Sequence, residues 1–248
     1  MLDKLKKQVC EANLQLVAEG LVIQTWGNAS GIDRASGLMV IKPSGVPYPA
    51  MKPEHMVVVA LKSGRVVEGT LNPSSDTPTH LVLYGAFPQL GGVVHTHSLY
   101  ATAWAQARRE IPAFGTTHAD YFHGAVPCTR ALAAAEIRRD YELNTGHVIV
   151  ETLRRLSLLC PGVLVAGHGP FAWGSSVDEA VHNAVVLEHL ARLASETLAI
   201  NASTRPVERV LLDKHFFRKH GSGAYYGQTH RTSPTSAALP AKQTKKRI

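Results

Sequence analysis

Two imidazoles stand two residues apart in Gly91-Gly92-Val93-Val94-His95-Thr96-His97-Ser98. Side chains two apart on a strand point the same way. A strand here therefore puts Val93, His95 and His97 on one face, and Val94 and Thr96 on the other. Neutral ring nitrogens so placed suit a soft or borderline divalent cation, which takes imidazole at about 2.0–2.1 Å. Alone, the spacing describes two ordinary polar residues at a strand end equally well. A second stretch shifts the balance: Val163-Leu164-Val165-Ala166-Gly167-His168-Gly169-Pro170 is again an apolar run ending in a glycine-flanked histidine. Its glycines let the backbone approach a neighbour closely. Ser74-Ser75-Asp76-Thr77-Pro78 adds a carboxylate at a helix start. His95, His97, His168 and Asp76 together make a set that holds Zn²⁺ and leaves positions for a substrate; Mn²⁺ and Co²⁺ accept the same ligands.

Three polar segments could receive an anion: Gly27-Asn28, Lys42-Pro43-Ser44-Gly45 and Ser74-Ser75. Each offers backbone N–H or hydroxyl donors, and Lys42 adds a cation, the combination a phosphate monoester needs. Serine and glycine are also the usual turn residues, so three unrelated turns would look the same. Asp120, within Thr116-Thr117-His118-Ala119-Asp120-Tyr121, is a candidate general acid or base with Thr116 and His118 as neighbours. Spacing alone favours a turn-capping role for it, and the same holds for Glu142. His182 and His189 lie seven apart on one helix, too far for one ion. They and His55, His80, His123 and His147 read as structural or surface residues.

Helices and strands must carry these groups. Leu5, Val9, Ala12, Leu16 and Val17 form a helical stripe over 2–19, closed by Gly20. Strands are expected over 21–25, 38–41 and 56–61, the last turned by Ser63-Gly64 into 65–68. Thr77 as N-cap with Pro78 next starts a helix that runs to about Phe87. The His95–His97 strand follows, then a helix over 101–107 capped by Ser98, a short strand near Val126 and a helix over 145–155. A strand reaching Gly167-His168 and its partner at 171–173 precede a long helix over 179–200 capped by Asp178. Strands in the middle with helices before, between and after give a sheet layered by helices. Neither Gly-x-Gly-x-x-Gly nor a Walker lysine occurs.

The formal charge of +7 is a property of the chain end. From Thr229 on stand Arg231, Lys242, Lys245, Lys246, Arg247 and no acid; without those five, the 26 basic residues fall to 21 against 19 acidic ones. A nucleic-acid binder concentrates basic residues on its folded surface, so no such partner is expected. The segment 229–248 reads as a basic, disordered tail. The apolar runs are too short to cross a bilayer, and the first residues lack the core of a secretory signal. Cys10, Cys128 and Cys160 are an odd number at wide spacing, reduced thiols of a cytoplasmic protein.

The segments 25–28, 41–45, 73–80, 94–98, 115–121, 167–174 and 211–228 resemble, in order and spacing, the class II aldolase/epimerase family, and within it the bacterial L-ribulose-5-phosphate 4-epimerases. The resemblance covers residues 1–228. It implies an α/β single domain whose central, mostly antiparallel sheet carries helices on both faces, and a cytoplasmic homotetramer with its active site at the subunit interface. Metal ligands are implied at His95, His97 and His168, with Asp76 in or beside the shell. Substrate and phosphate contacts are implied at Gly27, Asn28, Lys42, Ser44, Gly45, Ser74 and Ser75. Asp120 and Tyr226 become the proton-transfer pair, Tyr226 reaching in from a neighbouring subunit, with Thr116, Glu142, His215 and Arg218 near the site. The implied activity is metal-dependent epimerisation of a ketopentose phosphate by breaking and remaking C3–C4. A sugar-phosphate aldolase that releases its products, or a non-catalytic scaffold of the same fold, are the alternatives.

Overall fold

The computed structural model describes residues 2–156 and 160–226, so the basic tail lies outside the described residues. Helix α1 (Asp3–Ala18) buries Val9, Ala12 and Leu16 and closes at Gly20, φ +68°. The strand expected over 21–25 forms further on. Gln24 and Gly27 both take positive φ, which no extended strand can hold, and β1 runs from Asn28 to Asp33. Leu21 and Val22 are buried because they pack with the residues of α1. Next come β2 (Leu38–Ile41), a 3₁₀ turn at Tyr48–Ala50, β3 (Val57–Ala60) and β4 (Val66–Glu68), where the hairpin was expected.

Helix α2 (Thr77–Ala86) takes Asp76, not Thr77, as its N-cap; the Thr77 hydroxyl donates instead to Ser74 O at 2.6 Å. Strand β5 (Gly92–His95) stops short of His97, and α3 (Leu99–Gln106) follows. Ser98 stands at its cap, but the Glu188 carboxylate does the capping, accepting from Tyr100 N and Ala101 N at 2.9 Å each. Residues Thr116–Ala119 form a short helix, α4, and the strand near Val126 is only a single bridge to Ile111. Helices α5 (Ala134–Arg138) and α6 (Tyr141–Leu156) lead to β6 (Gly162–Leu164) and β7 (Pro170–Gly174), with His168 on the turn between them rather than in a strand. Helix α7 (Val177–Ile200) is capped by the Ser176 hydroxyl, not Asp178, and α8 (Arg209–Phe217) has no counterpart in the sequence reading.

The strands form one sheet in the order β4-β3-β2-β1-β5-β7-β6, every neighbouring pair antiparallel. Alternation along the strands separates two cores. Val40, Val58, Val94 and Ala172 meet α1 and the first half of α7, whereas Met39, Val57, Val93 and Trp173 meet α2, α3 and α6. Helices thus cover both faces, as the family resemblance implies. Small residues in β1 permit one of these approaches: a Cβ on Gly31 would stand 2.5 Å from Val177 Cγ2 and 2.8 Å from Leu5 Cδ1.

Register then sets the chemistry. Asn28 pairs with His95 and His95 with Phe171, one row across β1, β5 and β7 on the face towards α2. The row lies where β1 begins, β5 ends and β7 begins.

Candidate functional site

His95 is buried, and its ring stacks on Phe171 with centroids 4.2 Å apart and planes 15° apart. Its Nδ1 lies 2.9 Å from Pro170 O. A carbonyl only accepts, so the proton sits on Nδ1 and the Nε2 lone pair is free. His97 Nε2 stands 3.1 Å from that Nε2, and a ring nitrogen of His168 joins them, all within 4.8 Å of one another. Nitrogens about 2.0–2.1 Å from one tetrahedral cation stand about 3.3 Å apart, so this donor set fits a zinc-like ion. Burial, reinforced by the neighbouring imidazoles, lowers the pKa of His97 and His168, which keeps them unprotonated as ligands must be.

Asp76 stands beside the three imidazoles. Burial pushes its carboxyl up, but His95, His80 and the Asn28 amide outweigh that and hold it below the ordinary range. Asn28 Nδ2 donates to Asp76 Oδ2 at 2.7 Å and to Ser74 Oγ at 3.0 Å, while its buried Oδ1 finds no partner among the described residues. The one-turn spacing of α2 next brings His80 against β1, where its Nδ1 meets the Ser30 hydroxyl at 2.7 Å. Asn28 and Ser30 on the strand thus face Asp76 and His80 on the helix as a buried polar seam. His80 does not line the adjoining cavity.

A cavity of about 370 Å³ opens in front of these groups. Lys42, Ser44, Gly45, Ser74 and Ser75 line it together with Gly27, Asn28, Asp76, the three histidines and Glu142. Lys42 is 2% exposed and has no ion-pairing carboxylate among the described residues; its Nζ donates to Thr25 O at 3.2 Å and Pro43 O at 3.4 Å. A buried ammonium satisfied only by carbonyls is a standing receptor for an anion. Burial lowers its pKa, and Asp76 partly offsets this.

Three lining residues carry no site role in the sequence reading: Thr25 and Trp26, within the segment that bears the resemblance, and Tyr141. The Tyr141 hydroxyl lies 3.2 Å from His168 Nδ1 and so orients that ring. Its place at the start of α6, beside Glu142, was the available signal, but the partner is 27 residues away.

Thr116, Asp120, His215, Arg218 and Tyr226 do not line this cavity. The last four form a second cluster between α4 and α8, and Thr116 is exposed at the first position of α4. Asp120 accepts from Arg218 Nε at 3.0 Å and Arg218 Nη2 at 2.7 Å, and His215 Nδ1 lies 3.0 Å away. Lys219, also absent from the sequence reading, stands 3.4 Å from its Oδ2. Burial raises the Asp120 pKa, but these cations outweigh it and keep the carboxylate ionised. Tyr226 is 60% exposed, with Arg218 at 4.8 Å and Lys219 at 4.6 Å from its ring centre. Within one chain, then, the acid–phenol cluster is not part of the cavity's lining.

Residues 7–195 match the family model described as the class II aldolase and adducin N-terminal domain. Over 228 residues the chain is 59% identical to the L-ribulose-5-phosphate 4-epimerases UlaF of Salmonella paratyphi B and of Salmonella typhi, 92% of this chain and 100% of each relative. Among solved structures, an L-fuculose 1-phosphate aldolase superposes with a TM-score of 0.73 at 24% identity, over 86% of this chain and 94% of its own. The L-fuculose 1-phosphate aldolase of Glaciozyma antarctica superposes with a TM-score of 0.72 at 17% identity, over 90% and 84%. At those identities the likeness is one of fold.

Proposed function

Because the chain belongs to the class II aldolase and adducin family, we propose that it is a metal-dependent L-ribulose-5-phosphate 4-epimerase, interconverting L-ribulose 5-phosphate and D-xylulose 5-phosphate. The observation that carries the reading is the convergence of three imidazoles beside a pocket holding a buried lysine with no ion-pair partner among the described residues. The 59% identity to epimerases along their entire length supports the choice of substrate.

The C4 hydrogen of a 2-ketopentose is not adjacent to the carbonyl, so direct deprotonation there is hard, and reversible cleavage of C3–C4 avoids it. His95, His97 and His168 would hold a divalent cation, Zn²⁺ by choice and Mn²⁺ or Co²⁺ as substitutes, which would supply Lewis-acid polarisation of the sugar. Asp76 stays beside that shell, held by Asn28. Lys42, Ser44, Gly45, Ser74 and Ser75 anchor the phosphate, and Gly27 and Asn28 pass the sugar between the two regions. A base takes the C4 hydroxyl proton, C3–C4 breaks, and the electron pair moves onto the three-carbon enediolate. Glycolaldehyde phosphate, still anchored, turns its other face, the bond re-forms, and an acid returns the proton to the C4 oxygen. Inversion needs a proton-transfer group on each face, and Asp120 and Tyr226 fill those roles.

Both residues stand away from the cavity of their own chain, so they act in a neighbour's site within a homotetramer. Thr116, Glu142, His215 and Arg218 complete the surroundings. Residues 1–228 form the catalytic domain. No helix among the described residues is long and apolar enough to cross a membrane, and the three cysteines are unpaired; the cytoplasm is the compartment we assign.

His97→Asn tests the reading, with bound metal and L-ribulose 5-phosphate conversion measured on the same preparation. Both should fall together, conversion by about a hundredfold or more. Conversion that survives without metal overturns the mechanism, and free glycolaldehyde phosphate accumulating with the wild type reassigns the chain as an aldolase.

A further inference from the structure

We infer that Tyr48 is a positioning residue for this site, its hydroxyl holding the loop in front of the metal histidines and its ring holding the phosphate-binding lysine. The inference rests on the reading of Lys42 as the phosphate cation. Tyr48 lies on the 3₁₀ turn Tyr48–Ala50, is 3% exposed, and does not line the cavity.

Its two ends touch different parts of the wall. The hydroxyl proton is shared between Trp26 O and Gly27 O, each 3.0 Å away. The Lys42 ammonium stands 4.9 Å from the centre of its ring. Lys42 itself donates to Thr25 O at 3.2 Å, so phenol, lysine and loop close a triangle. Burial pushes the phenol pKa up, which keeps the hydroxyl a donor.

Each contact has a chemical reason. With no carboxylate in ion-pair contact among the described residues, the buried ammonium depends on carbonyls and on the face of this ring, and a desolvated cation–π contact is among the stronger ones available to it. The loop is equally constrained. Gly27 has φ +77°, and a Cβ there would stand 2.8 Å from His95 O, so its backbone presses directly on the strand that carries a metal ligand. One residue earlier, the Trp26 indole lies 6.4 Å from the His97 ring. Tyr48 therefore fixes the separation between the anion end and the metal end of the cavity. A substrate held at both ends reacts only if that separation is right.

The two functions separate by substitution. Tyr48→Phe removes the hydroxyl and keeps the ring; Tyr48→Leu removes both. Inhibition by inorganic phosphate reads the lysine, and acrylamide quenching of fluorescence reads the loop. Trp26 is 53% exposed while Trp104 and Trp173 are 7% and 2% exposed, so the quenchable signal comes from Trp26. For Tyr48→Phe we expect phosphate affinity within about twofold of wild type, kcat lower by about tenfold and altered quenching of Trp26. For Tyr48→Leu phosphate affinity should fall by about a further tenfold.

Wild-type kcat and quenching in Tyr48→Phe overturn the loop role. Equal phosphate affinity in the Phe and Leu variants overturns the lysine role. Should Tyr48→Leu fail to fold, Tyr48→Met replaces it for the ring. If wild type fails to epimerise L-ribulose 5-phosphate, the proposed function falls. Phosphate binding measured by calorimetry, with the quenching, still decides the case of Tyr48.

Discussion

His118 shows how one buried side chain links the fold to pH. Its Nε2–H donates to Gly124 O at 2.7 Å, yet burial dominates and lowers its pKa to about 4. In the unfolded chain an imidazole titrates near 6.5, at about that value for model peptides. Between those values the unfolded state binds a proton that the folded state refuses. Stability is therefore full above about pH 6.5 and falls as pH drops towards 4, by on the order of 3 kcal/mol for this group. His118→Gln, whose amide can still donate to Gly124 O, should flatten that dependence by about one proton. Urea midpoints compared between pH 7 and pH 5 check it, and an unchanged slope refutes it. The sequence placed His118 beside Asp120 as an orienting neighbour, but its bond goes to the backbone of the next turn. Residues recognisable by type, such as the three histidines and Lys42, were legible. Tyr48, Tyr141 and Lys219 were not, because each acts through partners 21, 27 and 99 or so positions away.

At the scale of elements, the sheet depends on one close approach. A side chain on Gly31 would collide with Val177 of α7 and Leu5 of α1. Gly31→Val should lower stability by about 1–3 kcal/mol through overpacking. Thermal melts measure it, and a melting temperature equal to wild type would show that the two helices yield freely. This strand also forms away from where the sequence predicts one. Leu21-Val22-Ile23 carries the branched apolar residues that strands prefer, whereas Asn28-Ala29-Ser30-Gly31 carries residues that strands avoid. Tertiary contact reversed the preference: Ala29 N and O both bond the Asn13 amide of α1, and Ser30 bonds His80. Long amphipathic helices and the β3–β4 hairpin, whose signals are local, formed where expected. Helix α8 went unseen because it buries only Leu212.

For the whole molecule, the proposed homotetramer would make activity a property of the assembly, since Asp120 and Tyr226 do not line the cavity of their own chain. His97→Asn and Tyr226→Phe should each have low turnover, the second with metal retained. Dissociated and reassembled together, they should yield activity above the sum of the separate preparations, since some sites then pair an intact cavity with an intact phenol. Activity no greater than that sum means that both groups serve the same chain's site.

The row Asn28–His95–Phe171 has one more consequence. A one-residue slip between β1 and β5, or between β5 and β7, would turn His95 towards the opposite layer and scatter the donors. A chain that captures a cation here would thereby report the pairing of β5 with β7, which brings the turn bearing His168 to His95 and His97. Metal content per chain consequently serves as a proofreading gauge, able to sort faithfully assembled molecules from mispaired ones before any substrate is added.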